Sequence, residues 1–260
     1  MLRGLFGNIP DVTKNLLIVN VLLYLVSIFF SSKGLDLFTI LSSHYVNSEL
    51  FAPYQIVTHM FMHSPNDILH LVFNMLLLAM FGAHLERIWG AKRYFFFYIA
   101  CGLGAFVLYN SIGVWQLMEL KREIIANQSY EFLGYKSIYG LNEAIVNDQF
   151  VSDVMRGGGR TSEDLVNYFY LQTSTMLGAS GAIFGLLAGF ALLFPNTELM
   201  LLFPPIPIKA KYLIGGYLAF EIYSSIYRAG DQIAHLAHVG GAIVGIIIVL
   251  IWRKRGKNFY

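Results

Sequence analysis

The sequence predicts an all-α polytopic membrane protein in which six transmembrane helices form one bundle. Hydrophobic residues make up 56% of the 260-residue chain, charged residues only 13%, and the mean hydropathy is +0.57. Soluble domains are on average less apolar and richer in charge. Several of the apolar runs are shorter than the roughly 20 residues that cross a bilayer, which indicates helices buried among helices. The six runs cover approximately residues 16–30, 68–83, 94–115, 176–194, 212–227 and 232–252.

The first run predicts a retained membrane anchor. It has a weakly basic start at Arg3 and Lys14, and no small-x-small cleavage site follows Phe30, so the pattern is not that of a signal peptide. The third run is followed by the one polar block of the chain, residues 116–173, where Leu117 to Ile125 predict a short amphipathic helix on the membrane surface.

The basic residues predict the orientation, since cytoplasmic loops of membrane proteins are rich in Lys and Arg. If both termini are cytoplasmic, the cytoplasmic segments hold eleven of the 18 basic residues. Residues 116–173 carry eight acidic residues against five basic ones. We therefore predict that residues 116–173 form an extracytoplasmic insertion within a single membrane domain spanning residues 1–260.

Charge and cysteine content exclude several function classes. The net charge of +2 is too small to predict nucleic-acid binding, and no basic run alternates with aromatic residues. The single cysteine, Cys101, excludes an intrachain disulfide, and its apolar setting predicts a packing role.

Polar side chains stand near the start of three apolar runs. His70 and Asn74 open the second run, Ser180 the fourth and His238 the sixth. In the predicted topology these runs all enter from the outer face, which places Ser180 and His238 roughly 5 to 10 Å below that surface. Lipid tolerates such groups only where they face the bundle interior and water reaches them. We therefore expect them to converge at one depth.

Glycines accompany both Ser180 and His238. Gly178, Gly181, Gly185 and Gly189 fall close to one helical face, where missing side chains allow another backbone to approach. A serine and a histidine at corresponding ends of two such helices have the character of a nucleophile and its base. A lone serine in a membrane helix, however, usually bonds only its own backbone.

Two motifs extend this interpretation: Gly178-Ala-Ser180-Gly181, and Ala237-His238 followed by Gly241 and Gly245. In this order they resemble the rhomboid intramembrane serine proteases, and the resemblance covers roughly residues 15–105 and 174–255. It implies a six-helix rhomboid-like bundle that cleaves peptide bonds in or beside transmembrane segments of other membrane proteins. It also implies a bacterial inner-membrane location, an active site open to the extracytoplasmic side and both termini in the cytoplasm.

The resemblance also assigns roles to individual residues. Ser180 is the implied nucleophile and His238 its base, while His70, Asn74 and the backbone N–H of Ser180 are the implied oxyanion donors. Phe184 occupies the position of an aromatic that packs on the histidine ring, and the supporting glycines are Gly178, Gly181, Gly241 and Gly245. The expected partners are transmembrane protein substrates and membrane lipid, with no nucleic acid, no cofactor and no metal.

Other interpretations stay open at this point. His59 and His63 stand at i, i+4 and could bind a metal, although no His-Glu-x-x-His sequence is present. Glu221, the only acid well inside a run, is interpreted as a hydrogen-bonded structural carboxylate or as part of a substrate gate. No acid occupies a matching position beside His238, so we expect a Ser-His dyad.

Two alternative functions come from other classes. The first is a rhomboid-like pseudoprotease that binds membrane-protein clients without cleaving them, against which the presence of both Ser180 and His238 counts. The second is a small transporter or channel, which the lack of an inverted hydropathy repeat disfavours.

Overall fold

The computed structural model describes residues 9–157, 162–200, 205–227 and 232–256. In these residues the regular secondary structure is helical apart from one short antiparallel strand pair, β1 (Glu198–Met200) with β2 (Pro207–Lys209). The α-helices in chain order are α1 (Asp11–Ser31), α2 (Leu37–Leu41), α3 (Gln55–Thr58), α4 (Ile68–Leu77), α5 (Ala83–Trp89), α6 (Ala91–Asn127), α7 (Ile138–Val146), α8 (Phe150–Arg156), α9 (Glu163–Thr173), α10 (Ser180–Leu193), α11 (Ala210–Tyr227) and α12 (Gln232–Arg255).

The predicted all-α membrane class is confirmed, since each of the six apolar runs forms a helix. In the described part of the chain, four helical segments are long and apolar enough to cross a membrane by length and composition. They are Asp11–Ser31, Ile68–Trp89, Ala91–Asn127 and His235–Lys254, and α10 is a shorter apolar helix. The count of six spans therefore stays a prediction.

The second run is continuous although it is not uniformly α-helical. Asp67 caps α4 by accepting the backbone N–H of His70 at 3.1 Å. A single π-helical turn, Leu78–Gly82, joins α4 to α5. The helix ends at Gly90, whose φ of 76° is readily adopted only by glycine.

Glycines bring α6, α10 and α12 into close contact at the centre of the molecule. A Cβ atom at Gly185 would collide with Cys101 of α6, and one at Gly241 of α12 would overlap the carbonyl oxygen of Gly181. A Cβ at Gly245 would lie 2.7 Å from the carbonyl oxygen of Gly185. Real Cβ atoms do not approach so closely, so these helices pack backbone against backbone, as small-residue interfaces in membranes do.

The third run extends further than predicted. The surface helix expected at Leu117 to Ile125 is wrong as a separate element, because α6 runs unbroken through 37 residues, from Ala91 to Asn127. Apolar composition ends near Trp115, but the following Leu, Met, Glu, Lys and Arg residues are all strong helix formers. At 1.5 Å per residue α6 is about 55 Å long, more than the thickness of a bilayer.

The polar block packs back onto the segment between α1 and α4 through a buried side-chain network. Tyr168 donates to Asn142 at 2.8 Å and accepts from Gln172 at 2.8 Å. Asn142 in turn donates to Glu49 at 3.0 Å, and the Ser48 hydroxyl donates to the Gln172 carbonyl at 2.7 Å. The polar block is thereby attached to the segment between α1 and α4, here called the first loop, as well as to α6.

Candidate active site

Ser180 is the first residue of α10, and a tight glycine turn precedes it. Gly178 has a φ of 115° and donates its N–H to the His59 carbonyl at 2.9 Å. We expected Ser180 in the first turns of a longer helix with Gly178 on one of its faces. The structure instead begins the helix at Ser180, because a left-handed residue two positions earlier cannot belong to a right-handed helix. The first N–H groups of α10, including that of Ser180, therefore have no acceptor within the helix.

Ser180 and His238 are in hydrogen-bond contact. The Oγ atom of Ser180 lies 2.9 Å from Nε2 of His238, on the facing helix α12. The contact follows from the packing of Gly241 against Gly181, since a side chain at Gly241 would push the two helices apart. The serine hydroxyl can therefore donate its proton to Nε2, which is the arrangement that nucleophile activation requires.

A carboxylate lies on the other side of the His238 ring. Oε2 of Glu221 is 2.9 Å from Nδ1 of His238 and 2.6 Å from Nδ1 of His235. The expectation that no acid lies beside His238 is therefore wrong. The sequence signal was the one acidic residue well inside an apolar run, but its partner depends on how α11 is rotated against α12, which the spacing does not reveal.

Aromatic rings hold the His238 ring in place. Phe184, one turn after Ser180, stacks on His238 with ring centroids 4.1 Å apart and planes 13° apart. Phe184 in turn packs against Tyr217 of α11, with ring centroids 5.0 Å apart. The histidine is thus fixed by a ring face as well as by its two nitrogen contacts.

The structure separates the two predicted oxyanion donors. His70 lines the same cavity as Ser180 and His238, whereas the Asn74 amide nitrogen donates to Nε2 of His63 at 3.0 Å. A Cβ atom at Gly178 would lie 3.2 Å from Nε2 of His70 and 3.6 Å from Oγ of Ser180. The missing side chain of Gly178 therefore leaves one small space between His70 and the serine.

The cavity in front of Ser180 has a volume of about 430 Å³. Its lining is mixed, with backbone of the segment before α10, small residues of α6 and three histidines. The histidines are His59, His70 and His238. Ligand-binding clefts typically have volumes of about 300–1,000 Å³, so this cavity is large enough to take a ligand group beside Ser180.

The two histidines of the first loop are buried, and each has taken a partner. Nδ1 of His59 donates to the Gln55 carbonyl at 2.8 Å, and Nε2 of His63 accepts from Asn74. Burial lowers the pKa of each ring to about 4, because a charged imidazole loses its hydration there. Both rings are therefore neutral at pH 7.

Among the described residues one group could offer a set of metal ligands: Glu221, His235 and His238, whose ligand atoms lie within 4.8 Å of one another. The nitrogen-to-oxygen distances of 2.6 and 2.9 Å are those of hydrogen bonds. Two ligands of a tetrahedral zinc ion are about 3.3 Å apart, given bonds of about 2.0 Å. The spacing therefore favours a hydrogen-bonded cluster over a metal centre.

Comparison with known proteins places these features in a family. A sequence profile described as the Rhomboid domain matches residues 51–116 and 158–255, and the match breaks within the polar block. No solved structure gives a significant match to the chain.

Two named relatives align with parts of the chain. Rhomboid protein 1, mitochondrial, of Saccharomyces cerevisiae is 35% identical over 71 residues, 27% of this chain and 20% of that protein. Presenilin-associated rhomboid-like protein A, mitochondrial, of Danio rerio is 32% identical over 121 residues, 42% of this chain and 30% of that protein. The chain thus matches less than a third of the length of either relative. Since the family profile matches well over half of the chain, the protein belongs to the rhomboid family.

Proposed function

We propose that this protein is an intramembrane serine endopeptidase that cleaves transmembrane or juxtamembrane peptide bonds of other membrane proteins. The observation that carries the proposal is the 2.9 Å contact between Oγ of Ser180 and Nε2 of His238. Ser180 attacks the scissile carbonyl while His238 accepts the hydroxyl proton, and the same histidine later protonates the leaving amine. Water then attacks the acyl-enzyme. His238 takes a proton from that water and returns it to Oγ of Ser180 as the acyl group leaves.

The negative charge on the attacked carbonyl needs donors in a poorly hydrated site. The N–H of Ser180, at the positively polarised start of the 14-residue α10, supports this role. His70 faces the same small space beside Gly178 and is the second donor. Asn74 contributes more remotely than expected, since its amide nitrogen already contacts His63.

The proposed substrate class rests on the predicted depth of Ser180 and His238 below the membrane surface. The predicted substrates are transmembrane proteins that enter from the lipid, and no cofactor is required for the chemistry. Rhomboid-family membership and the apolar helices support a membrane location. The orientation, with the active site open to the extracytoplasmic side and both termini in the cytoplasm, is part of the proposal. The bacterial inner membrane is likewise proposed, whereas both named relatives are mitochondrial.

A serine-directed probe tests the activity directly. The purified parent should react covalently with a fluorophosphonate or isocoumarin probe and cleave a model transmembrane client, whereas Ser180→Ala should do neither. A pseudoprotease would still bind the client but would give no cleavage and no labelling with the parent. Substantial turnover by Ser180→Ala would end the serine-protease proposal.

Orientation is tested by cysteine accessibility in a Cys101→Ala background, which removes the single native thiol. Ser152 in α8 and Lys92 in α6 are both exposed. The proposal expects Ser152→Cys to react with a membrane-impermeant thiol reagent in intact cells, and Lys92→Cys to react only after the membrane is opened. The opposite pattern would reverse the orientation.

A further inference from the structure

The Glu221 carboxylate is the one acidic group in contact with the His238 ring among the described residues. It is 2% exposed and comes from α11, the helix before the one that carries the histidine. We propose that Glu221 is a positioning residue that completes a Ser180–His238–Glu221 arrangement, with His235 as a second donor that fixes the carboxylate. The inference rests on the proposed protease function.

The shared oxygen defines where the protons lie. Oε2 of Glu221 is within hydrogen-bond distance of Nδ1 on both histidine rings. A protonated carboxyl oxygen could donate to one ring and would be only a weak acceptor for the other, whereas a carboxylate oxygen accepts from both in stronger, charge-assisted bonds. The geometry therefore fits an ionised Glu221 with a hydrogen on each Nδ1.

That assignment determines the tautomer of His238. A neutral imidazole that carries its hydrogen on Nδ1 presents a free lone pair at Nε2, the atom facing Ser180 Oγ. In the other tautomer Nε2 carries a hydrogen and cannot accept the serine proton. Glu221 thus keeps the histidine in the form that acts as a base.

The carboxylate also offsets the charge that forms during the reaction. When His238 takes the serine proton, an imidazolium appears in a weakly hydrated site among packed helices. A negative group 2.9 Å away stabilises that cation far more strongly than it would in water. A dyad without Glu221 would have to form the same cation with no opposite charge in contact.

His235 holds the carboxylate from the other side. It lies three residues before His238, so both rings project from one face of α12. Its Nδ1 contact of 2.6 Å is shorter than that of His238, and its side chain is nearly buried. By occupying the second lone pair of Oε2, His235 restricts the carboxylate to the orientation that faces His238.

The test is a kinetic comparison of Glu221→Gln, Glu221→Asp and His235→Gln in the full-length protein. The amide of Gln can present N–H₂ to Nδ1 and favour the wrong tautomer. In a serine protease with an Asp in the equivalent role, the matching change lowers kcat by about 10⁴-fold. We expect kcat to fall about 10²- to 10⁴-fold in Glu221→Gln with KM changed less than about threefold. Glu221→Asp should retain intermediate activity, and His235→Gln should lose about tenfold.

The pH profile separates positioning from a structural role. The described titratable groups around this pair are Glu221 and Tyr217 in α11, His235 in α12 and His70 in α4. Loss of the carboxylate should displace the acid limb of kcat/KM, which reports the essential base of the free enzyme, whereas loss of a purely structural group would leave that limb in place. His235→Gln keeps the carboxylate and should move that limb much less.

A matched control is available in Glu86, a second buried carboxylate that accepts from the N–H groups of Val12 and Thr13. Glu86→Gln should lower thermal stability yet leave the acid limb in place. If Glu221→Gln does not fold, Glu221→Ala, which also removes the carboxylate, carries the same comparison. An acid limb that stays in place with kcat within threefold of the parent, in a folded variant that lacks the carboxylate, would overturn the inference, while Ser180-dependent cleavage would still support the protease.

Discussion

Oγ of Ser180 lies 2.9 Å from Nε2 of His238, although 58 residues separate them in the sequence. Both side chains are supplied by helices that touch through glycine, and neither helix could place its group correctly without the other. Residues that act together in this way show strongly non-additive effects. Ser180→Ala, His238→Ala and the double variant should therefore lose client cleavage to a similar extent. If the double variant lost the product of two large separate factors, the residues would act independently.

His70 and Asn74 should respond differently to truncation. His70→Ala removes a cavity-facing donor and should lower kcat by on the order of 100-fold while leaving the thermal midpoint close to that of the parent. Asn74→Ala should also destabilise the protein, by roughly 1–3 kcal/mol, because it leaves the buried Nε2 of His63 without its donor. Parent-rate cleavage by both variants and by the double variant would remove these residues from the oxyanion site.

Two glycines with different surroundings give opposite predictions for stability. Gly241→Ala should abolish folding or activity, because its Cβ would overlap the carbonyl oxygen of Gly181. Gly215→Ala in α11 is the control, since a Cβ there would meet nothing within 4 Å. That change should be neutral or stabilise the helix by roughly 0.5–1 kcal/mol. Equal thermal midpoints for the two variants would contradict the close packing of α10 on α12.

Acidification should destabilise the first loop. His59 and His63 have pKa values of about 4 in the folded protein, below the ordinary value of 6.5. The unfolded chain therefore binds protons that the folded chain does not, and stability falls as the pH drops from about 6.5 towards 4. Each ring contributes up to roughly 1.4 kcal/mol per pH unit over this range.

The measurement is the unfolding midpoint between pH 7 and 4, compared with that of His59→Gln. Removing one of the two histidines should flatten the dependence, while His84→Gln, at a more exposed ring, should flatten it less. An identical slope in His59→Gln would show that this ring is not neutral in the folded state.

Substrate choice should depend on the ease of helix unwinding. A transmembrane client hides each scissile carbonyl in its i to i−4 hydrogen bond, so Ser180 cannot attack before the helix opens locally. Gly and Pro weaken a helix by roughly 1 and 3 kcal/mol relative to Ala. We expect cleavage near the outer end of segments with a small residue before the cut and Gly or Pro beyond it. Undiminished cleavage of a client whose downstream Gly and Pro are replaced by Leu would show that helix unwinding does not determine substrate choice.

Sequence reasoning predicted the fold class, and the structure agrees with the meeting of Ser180 and His238, because apolar runs and glycine spacing are local patterns. It singled out Glu221 but did not place it beside His238, since the pairing of α11 with α12 depends on helix rotation, which six short and uniformly apolar runs do not specify. It also placed Gly178 on a helix. A Gly-Ala-Ser-Gly string is compatible with both a helix and a turn, and only tertiary contacts with His59 and His70 decide between them.

Because α6 is unbroken, its helical rotation couples the residues that pack on the polar block to those that pack beside the candidate active site. Cys101 faces Gly185 in the core, Gly113 faces the Tyr45 ring further along, and Leu117 and Ile124 are buried where the polar block packs. Each added residue turns everything beyond it by about 100°. One residue inserted after Cys101 would turn the Gly113 face away from Tyr45, whereas seven, close to two full turns, would nearly restore the direction of that face but move it about 10 Å along the helix axis. The length of this stretch is therefore constrained by rotation and by rise together, even where its side chains are free to vary.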